Sequence, residues 1–288
     1  MAGMDPKDQP TFTLSHRTAD GTTAPSQVPQ FGLGTFLMSE EGECRDAVLA
    51  ALEMGYRHID TAMAYGNEHE VGEAIRDCAI PRDEIFATTK LRRPHAVGTT
   101  ETMTRCQQSL ENLGLDYVDL YLVHAPPKDP YHRPRTWKGM ENCLEEGWTK
   151  AIGVSNYGAH HLDKMAAYAE VMPSVNQVEI HPWMQRPGLR AATEALGAKV
   201  MAYSPLARGH KVDDDGLAAI AAKLGCTPAQ AAIKWCLDAG CITVPKSGNV
   251  GRIAENLGSL SVDLSPAAAD FGALECDYVS GWDPTAEP

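Results

Sequence analysis

Two side chains able to move protons stand five residues apart in "RHIDTAMAYGNE", residues 57–68: the carboxylate of Asp60 and the phenol of Tyr65. Two more groups of the same kind end other apolar runs, Lys90 after "EIFATT" and His124 after "LYLV". Taken singly, each has a plain reading: a solvated lysine, a hydrogen-bonded core histidine, a packing tyrosine. Lys90, however, is embedded in apolar sequence, where an unpaired ammonium is costly, and Asp60 is its natural partner. The expected arrangement has Asp60 holding and neutralising Lys90, while Lys90 lowers the pKa of Tyr65 from the ordinary phenol value near 10. A phenol so tuned donates a proton near neutral pH.

A proton donor with no nucleophile, no metal set and no second general-base carboxylate points to protonation of a developing alkoxide. That is half of a carbonyl reduction, and the other half is a hydride that side chains cannot supply, so a nicotinamide cofactor is implied. Tyr203 offers a face for a ring to stack on, and Ser155, Asn156 and Gln177 suit a carboxamide. In "KSGNVGRIAEN", Lys246, Ser247 and Arg252 form a local basic cluster near a helix start, suited to phosphates including a 2′-phosphate. Arg252 reads equally well as a helix-surface charge.

The elements that must position these groups alternate along the chain. Strand patterns fall on "FGLGT", "YRHID", "EIFATTK", "YVDLYLVH", "KAIGVS", "SVNQVEI", "AKVMAYS" and "CITVPK", with helical periodicity between them. The helical segments include "TWKGMENCLEEG" and "GAHHLDKMAAYAEV"; several end in glycine (Gly55, Gly114, Gly147, Gly197, Gly225), and Thr227-Pro228 reads as a cap and first-turn proline. Eight such units predict a (β/α)8 barrel, an α/β fold whose functional residues sit at the C-terminal ends of the strands. "GLGTFL" lacks the third glycine and the helix of a doubly wound dinucleotide turn. Residues 11–30, with the turn "ADGT", read as an N-terminal hairpin over the barrel floor, residues 1–10 as flexible, and "VSGWDPTAEP" as a short C-terminal loop; no interior linker or repeat divides the chain, so 1–288 reads as one domain.

Net charge is −13, a poor match to nucleic acid or anionic membranes, which need clustered Lys and Arg. The eight cysteines contain no CxxC pair and read as reduced thiols. The N-terminus has no apolar run of a signal peptide, and no window approaches the roughly 18 apolar residues of a membrane span. A cytoplasmic location is expected.

In these motifs the chain resembles the aldo-keto reductases: "GLGT" at 32–35, "GYRHIDTAMAYGNEHEVGEAI" at 55–75, "TTKL" at 88–91, "SLENLGLDYVDLYLVHAP" at 109–126, "AIGVSN" at 151–156, "NQVEIHP" at 176–182, "AYSPLARG" at 202–209, and "VPKS" with "RIAEN" within 244–256. The resemblance implies NADPH-dependent reduction of aldehydes or ketones, with Asp60, Tyr65, Lys90 and His124 as catalytic tetrad: tyrosine as acid, histidine orienting the carbonyl, lysine tuning the tyrosine, aspartate behind it. It also implies that Thr35, Asp60, Ser155, Asn156, Gln177, Tyr203, Ser204, Leu206, Lys246, Ser247, Arg252 and Asn256 touch the cofactor, and that no metal takes part. Phe36, Arg92, Ala125, His124 and Trp282 match substrate-lining positions. Arg92 and Ala125 stand where relatives often carry tryptophans, which predicts a wider pocket and, from Arg92, a preference for anionic substrates. The short loops resemble the small microbial members, such as 2,5-diketo-D-gluconate and methylglyoxal reductases, which also implies a monomer.

Two other readings compete. An NADPH-binding, redox-sensing regulatory subunit with little turnover would keep the same cofactor residues. A metal-dependent barrel hydrolase would need several imidazole or carboxylate ligands at strand ends, whereas His124 is the one strand-end imidazole and His181, past "VEI", has no companion in sequence.

Overall fold

The computed structural model describes residues 9–17 and 23–288. A two-stranded antiparallel hairpin, β1 (Thr11–Arg17) and β2 (Thr23–Pro29), precedes eight short parallel strands: β3 (Leu33–Gly34), β4 (His58–Asp60), β5 (Phe86–Leu91), β6 (Leu120–Val123), β7 (Ile152–Ser155), β8 (Val175–Glu179), β9 (Lys199–Tyr203) and β10 (Ile242–Val244). Each predicted strand segment contributes one of the eight. They pair in chain order, and β10 returns to the β3 edge through Gln30, Gly32 and Gly34: Thr243 N donates to Gln30 O (2.7 Å), Gly32 N to Thr243 O (2.9 Å) and Gly34 N to Pro245 O (3.0 Å). The (β/α)8 barrel is thereby closed. "GLG" has a structural reason at this seam, because a Cβ on Gly34 would lie 2.8 Å from the Val244 carbonyl oxygen and one on Gly32 2.8 Å from the His58 ring.

Nine helices are described: α1 (Glu43–Glu53), α2 (Glu68–Asp77), α3 (Thr99–Leu113), α4 (His132–Glu145), α5 (Ala159–Met165), α6 (Pro187–Ala195), α7 (Asp215–Leu224), α8 (Pro228–Asp238) and α9 (Val250–Leu257). Outward-facing strand residues such as Ile59, Tyr121 and Val154 pack against Val48, Val71, Trp137 and Leu162 of the helices in one continuous core. Thr227 caps α8 in a reciprocal pair with Gln230. None of the described helices is long and apolar enough to cross a membrane.

Two helices depart from their predicted limits. α4 begins one turn earlier than "TWKGM", with Pro134 in its first turn, where a missing N–H costs nothing. α5 stops at Met165 instead of running to Val171, because the buried Glu141 carboxylate captures the amides of Glu170 (2.7 Å) and Val171 (2.9 Å) and so turns the chain away. The hairpin covers the barrel floor: Leu14 and Val28 pack on Phe86, Leu120, Val175 and Ile242, which begin their strands. The "ADGT" turn and most of the expected flexible N-terminus lie outside the described residues.

Candidate active site

Parallel register brings the strand ends to one level. Asp60, last in β4, pairs with Thr88, and Lys90 follows two residues later on the same face of β5, so both side chains enter the barrel. Ser155 pairs with Gln177, and Val244 with Tyr203. These ends surround a cleft of about 580 Å³, a size usual for a small-molecule or cofactor site.

Lys90 is fully buried, and its ammonium donates to Asp60 Oδ1 (2.6 Å), the Thr61 carbonyl (2.8 Å) and the Tyr65 hydroxyl (3.4 Å). Burial opposes its charge, but Asp60 more than restores it, and the pKa stands above the ordinary lysine value. The second carboxylate oxygen of Asp60 accepts from Gln177 Nε2 at 2.7 Å. Tyr65 sits on a short 3-10 turn, Met63–Tyr65, and its ring meets that of His124 edge-on at 5.7 Å. Burial, with help from the Lys90 charge, holds His124 down at about 3, so the imidazole is neutral through the physiological range.

One electrostatic expectation is reversed. Burial carries the Tyr65 phenol above the ordinary value of 10.0; Lys90 pulls downward without overcoming it, because Asp60 pushes back. The Lys90–Asp60 pair is close to neutral as a unit, so it cannot supply the field of a lone cation. Tyr65 is therefore protonated at neutral pH, the form a proton donor requires.

Of the residues expected at the cofactor, Asp60, Ser155, Asn156, Gln177 and Tyr203 line the cleft, as do Ser204, Leu206, Lys246 and Arg252. Thr35, Ser247 and Asn256 are buried behind its wall. Thr35 instead supports Asp60, giving its N–H (3.0 Å) and hydroxyl (3.2 Å) to the Asp60 carbonyl. Asn156 is held by its own contacts: Nδ2 donates to the His124 carbonyl (2.9 Å) and to Ser155 Oγ (3.1 Å), while Oδ1 accepts from Tyr203 (2.9 Å). At the far end, the one carboxylate near Lys246 Nζ among the described residues is Glu43 at 3.8 Å, and α9, which starts at Val250, carries Arg252 in its first turn, where the Arg252 N–H donates to the capping Asn249 Oδ1 at 3.0 Å. Two cations at a helix start, so lightly paired, fit a phosphate group, and the half-buried Tyr203 ring beside Asn156 and Gln177 fits a nicotinamide with its carboxamide.

Among the expected substrate residues, Phe36, His124 and Trp282 line the cleft. Arg92 and Ala125 do not: Ala125 is fully buried, and Arg92 is an exposed residue flanking the 3-10 turn Arg93–His95. The anionic preference inferred from Arg92 thus has no basis in the cleft; Arg208, unweighed in the sequence, lines it instead. Its signal was its place in "AYSPLARG", directly after a strand end. Asn67 was missed too. Buried beneath the mouth, it accepts from Thr61 Oγ1 (2.9 Å) and donates to the carbonyls of Thr35 (2.9 Å) and Met38 (3.2 Å), fixing the β3 loop to the β4 loop. His181 does have a companion, Glu179 at 3.1 Å, and this buried pair receives Ser280 N on Glu179 Oε1 at 2.9 Å.

With this geometry in place, comparison with known proteins decides the family. The sequence profile of the Aldo/keto reductase family matches residues 30–270. The chain belongs to that family. It is 40% identical to a glyoxal reductase of Bacillus subtilis over 259 residues, covering 90% of this chain and 93% of that one. It is 43% identical to a methylglyoxal reductase of Escherichia coli over 231 residues, covering 80% and 82%. Among solved structures, an aldo-keto reductase of Bombyx mori in complex with NADP superposes with a TM-score of 0.80 at 33% identity, covering 94% of each chain. The family carbonyl reductases thus match this chain across the barrel and the cleft, not in one motif alone.

Proposed function

We infer that this reductase uses NADPH to reduce aldehyde or ketone groups of small molecules to alcohols, with Tyr65 as proton donor. The observation that carries this reading is the Tyr65 hydroxyl 3.4 Å from a fully buried ammonium that is itself bound to Asp60 at 2.6 Å, facing a neutral imidazole. NADPH, once bound, supplies the hydride. Lys246 and Arg252 would hold its phosphate end and Tyr203, Asn156 and Gln177 its nicotinamide end. His124 orients the substrate carbonyl by a hydrogen bond to the oxygen. Tyr65 gives its proton to that oxygen as negative charge develops there. The phenolate left behind is stabilised by Lys90, and Asp60 keeps Lys90 charged and in place. The named activities of the relatives support small dicarbonyls such as glyoxal and methylglyoxal as first substrates. A monomer in the cytoplasm completes the reading; light scattering of the purified chain tests the first part.

The test is NADPH oxidation with methylglyoxal, a nitrobenzaldehyde, an aldose and a keto acid, by the parent and by Tyr65→Phe, with NADPH binding followed by fluorescence. The variant is expected to bind NADPH like the parent and to lose roughly a hundred- to ten-thousandfold in kcat. Binding by both with turnover by neither would favour the regulatory-subunit reading instead.

A further inference from the structure

One buried acid takes no part in the proton transfer. Glu68 opens α2, is 2% exposed, and lies outside the cleft. An acid at a helix start is ordinarily a solvated group facing the helix dipole. Here both carboxylate oxygens are engaged by other elements: Oε1 accepts from the Thr89 hydroxyl of β5 at 2.6 Å, and Oε2 from Asn112 Nδ2 of α3 at 2.9 Å. Among the described residues no cation pairs with it, and burial holds its carboxyl above the ordinary carboxylate range. A carboxylate buried without a cation is costly, so a fold that keeps one here gains something from its hydrogen bonds.

Its neighbours in sequence show what is held. Tyr65 stands three residues before Glu68, and Lys90 directly follows Thr89. The Glu68–Thr89 bond therefore ties the start of α2 to the strand of the ammonium, beside the 3.4 Å contact between Tyr65 and Lys90. The turn has little of its own to hold that contact. Ala64 and Gly66, on either side of Tyr65, are exposed, and Gly66 runs through the left-handed region at φ 75°. The phenol is thus placed by the buried residues at the two ends of the turn. Upstream, Thr61 N donates to the Thr88 carbonyl at 2.9 Å and the Thr61 carbonyl accepts from Lys90 at 2.8 Å. Downstream, Asn67 holds to the β3 loop and Glu68 to β5. α2 is also pressed on α3: a Cβ on Gly72 would strike the Leu113 carbonyl, next to Asn112.

We propose that Glu68 is a positioning residue for Tyr65: by joining the first turn of α2 to Thr89 of β5 and Asn112 of α3, it sets the distance between the phenol and Lys90. This deepens the reductase reading and rests on it. Glu68 touches neither the carbonyl nor the cofactor and acts only through where Tyr65 stands. What it supplies is a pair of hydrogen bonds, not charge, because Asp60 already matches the charge of Lys90.

The test measures kcat with methylglyoxal, NADPH affinity and melting temperature in the parent, Glu68→Leu, Glu68→Gln and Thr89→Val. Glu68→Leu fills the space and removes both links; kcat is expected to fall roughly ten- to a hundredfold, the effect of displacing the donor by about 1 Å. NADPH affinity should hold, and so should the melting temperature, because an apolar side chain replaces a buried charge without a cation. Thr89→Val keeps its shape, cuts the link to β5 alone and should lower kcat in the same way; it decides the matter if Glu68→Leu does not fold. Glu68→Gln keeps an oxygen for Thr89 and an N–H that a turned Asn112 amide accepts, and should restore most of kcat. A kcat unmoved by either Glu68→Leu or Thr89→Val overturns the proposal. So does a Glu68→Gln as impaired as Glu68→Leu, which would give the effect to charge, or a loss of kcat matched by losses of NADPH affinity and melting temperature, which would make Glu68 merely structural. Hydrogen exchange over residues 61–68 separates this from failure of the reductase reading. If the parent reduces nothing, faster exchange of this turn in Glu68→Leu and Thr89→Val still upholds the link, and unchanged exchange sinks it.

Discussion

Lys90 has three hydrogen bonds to give, and Asp60, Thr61 and Tyr65 take all of them. Removing the lysine therefore does two separable things. Lys90→Met leaves the Asp60 carboxylate buried and without its cation, at a cost of about 3–5 kcal/mol of stability. Adding Asp60→Asn removes the stranded charge, and the double variant should regain most of the melting temperature while remaining inactive; recovery of activity along with stability would mean the pair is only structural. The same residues set the pH profile. Tyr65 titrates above the ordinary phenol value and His124 at about 3, so neither changes charge near neutrality. The kcat/KM for reduction is expected to be flat from about pH 6 to 9 and to fall only on the alkaline side, as Tyr65 loses the proton it must donate. A break near pH 6.5 in a pH–rate series would show instead that His124 titrates as an ordinary histidine.

At the scale of elements, the substrate side of the cleft is assembled by the connection between β8 and α6. The C-terminal segment sits on it: Ser280 N is held by Glu179 at 2.9 Å, and Asp283 pairs with Arg186 at 2.9 Å. Trp282 lies between these two anchors, so its position is set by residues that never touch substrate. Arg186→Met loosens one anchor, and also frees Thr285, which Arg186 Nη1 holds at 2.7 Å. The expected loss is about 1 kcal/mol of positioning, seen as a roughly fivefold higher KM for aromatic aldehydes. NADPH affinity, read by fluorescence, should not follow it; equal losses in both would place the effect in the whole mouth.

At the scale of the molecule, buried neutral histidines make stability depend on pH. His58, inside the barrel against Thr88, is held by burial at about 4, and His124 at about 3, against an ordinary 6.5. Below pH 6.5 the unfolded chain takes up protons that the folded chain refuses, so the stability these groups contribute is complete above that pH and is lost as the pH falls from there toward 4. The slope is about 1.4 kcal/mol per pH unit for each histidine. The reading of residues 1–288 as one domain predicts one cooperative transition in denaturant unfolding at each pH, and His58→Asn should reduce the acid slope by about one proton. An unchanged slope would mean that His58 is already protonated in the fold.

The barrel was legible in the sequence because each strand is a short apolar run and several of the helices between them stop at a glycine (Gly55, Gly114, Gly147, Gly197, Gly225), signals that survive without knowledge of any neighbour. The Lys90–Asp60 pair was legible for the same reason: a lysine inside "EIFATTKL" needs a partner wherever it folds. What the sequence could not carry was everything set by contacts between distant segments. α5 stopped short of Val171 because Glu141 of α4 captured the amides of Glu170 and Val171, Arg92 fell outside the cleft while Arg208 entered it, and the Tyr65 phenol rose because burial raises it and Asp60 offsets the pull of Lys90. Residue type and spacing determined which groups meet at the mouth of the barrel. Burial, and the net charge of the pair facing the phenol, are sums over surroundings that exist only after folding, so the protonation states and the walls of the pocket were decided by the tertiary structure alone.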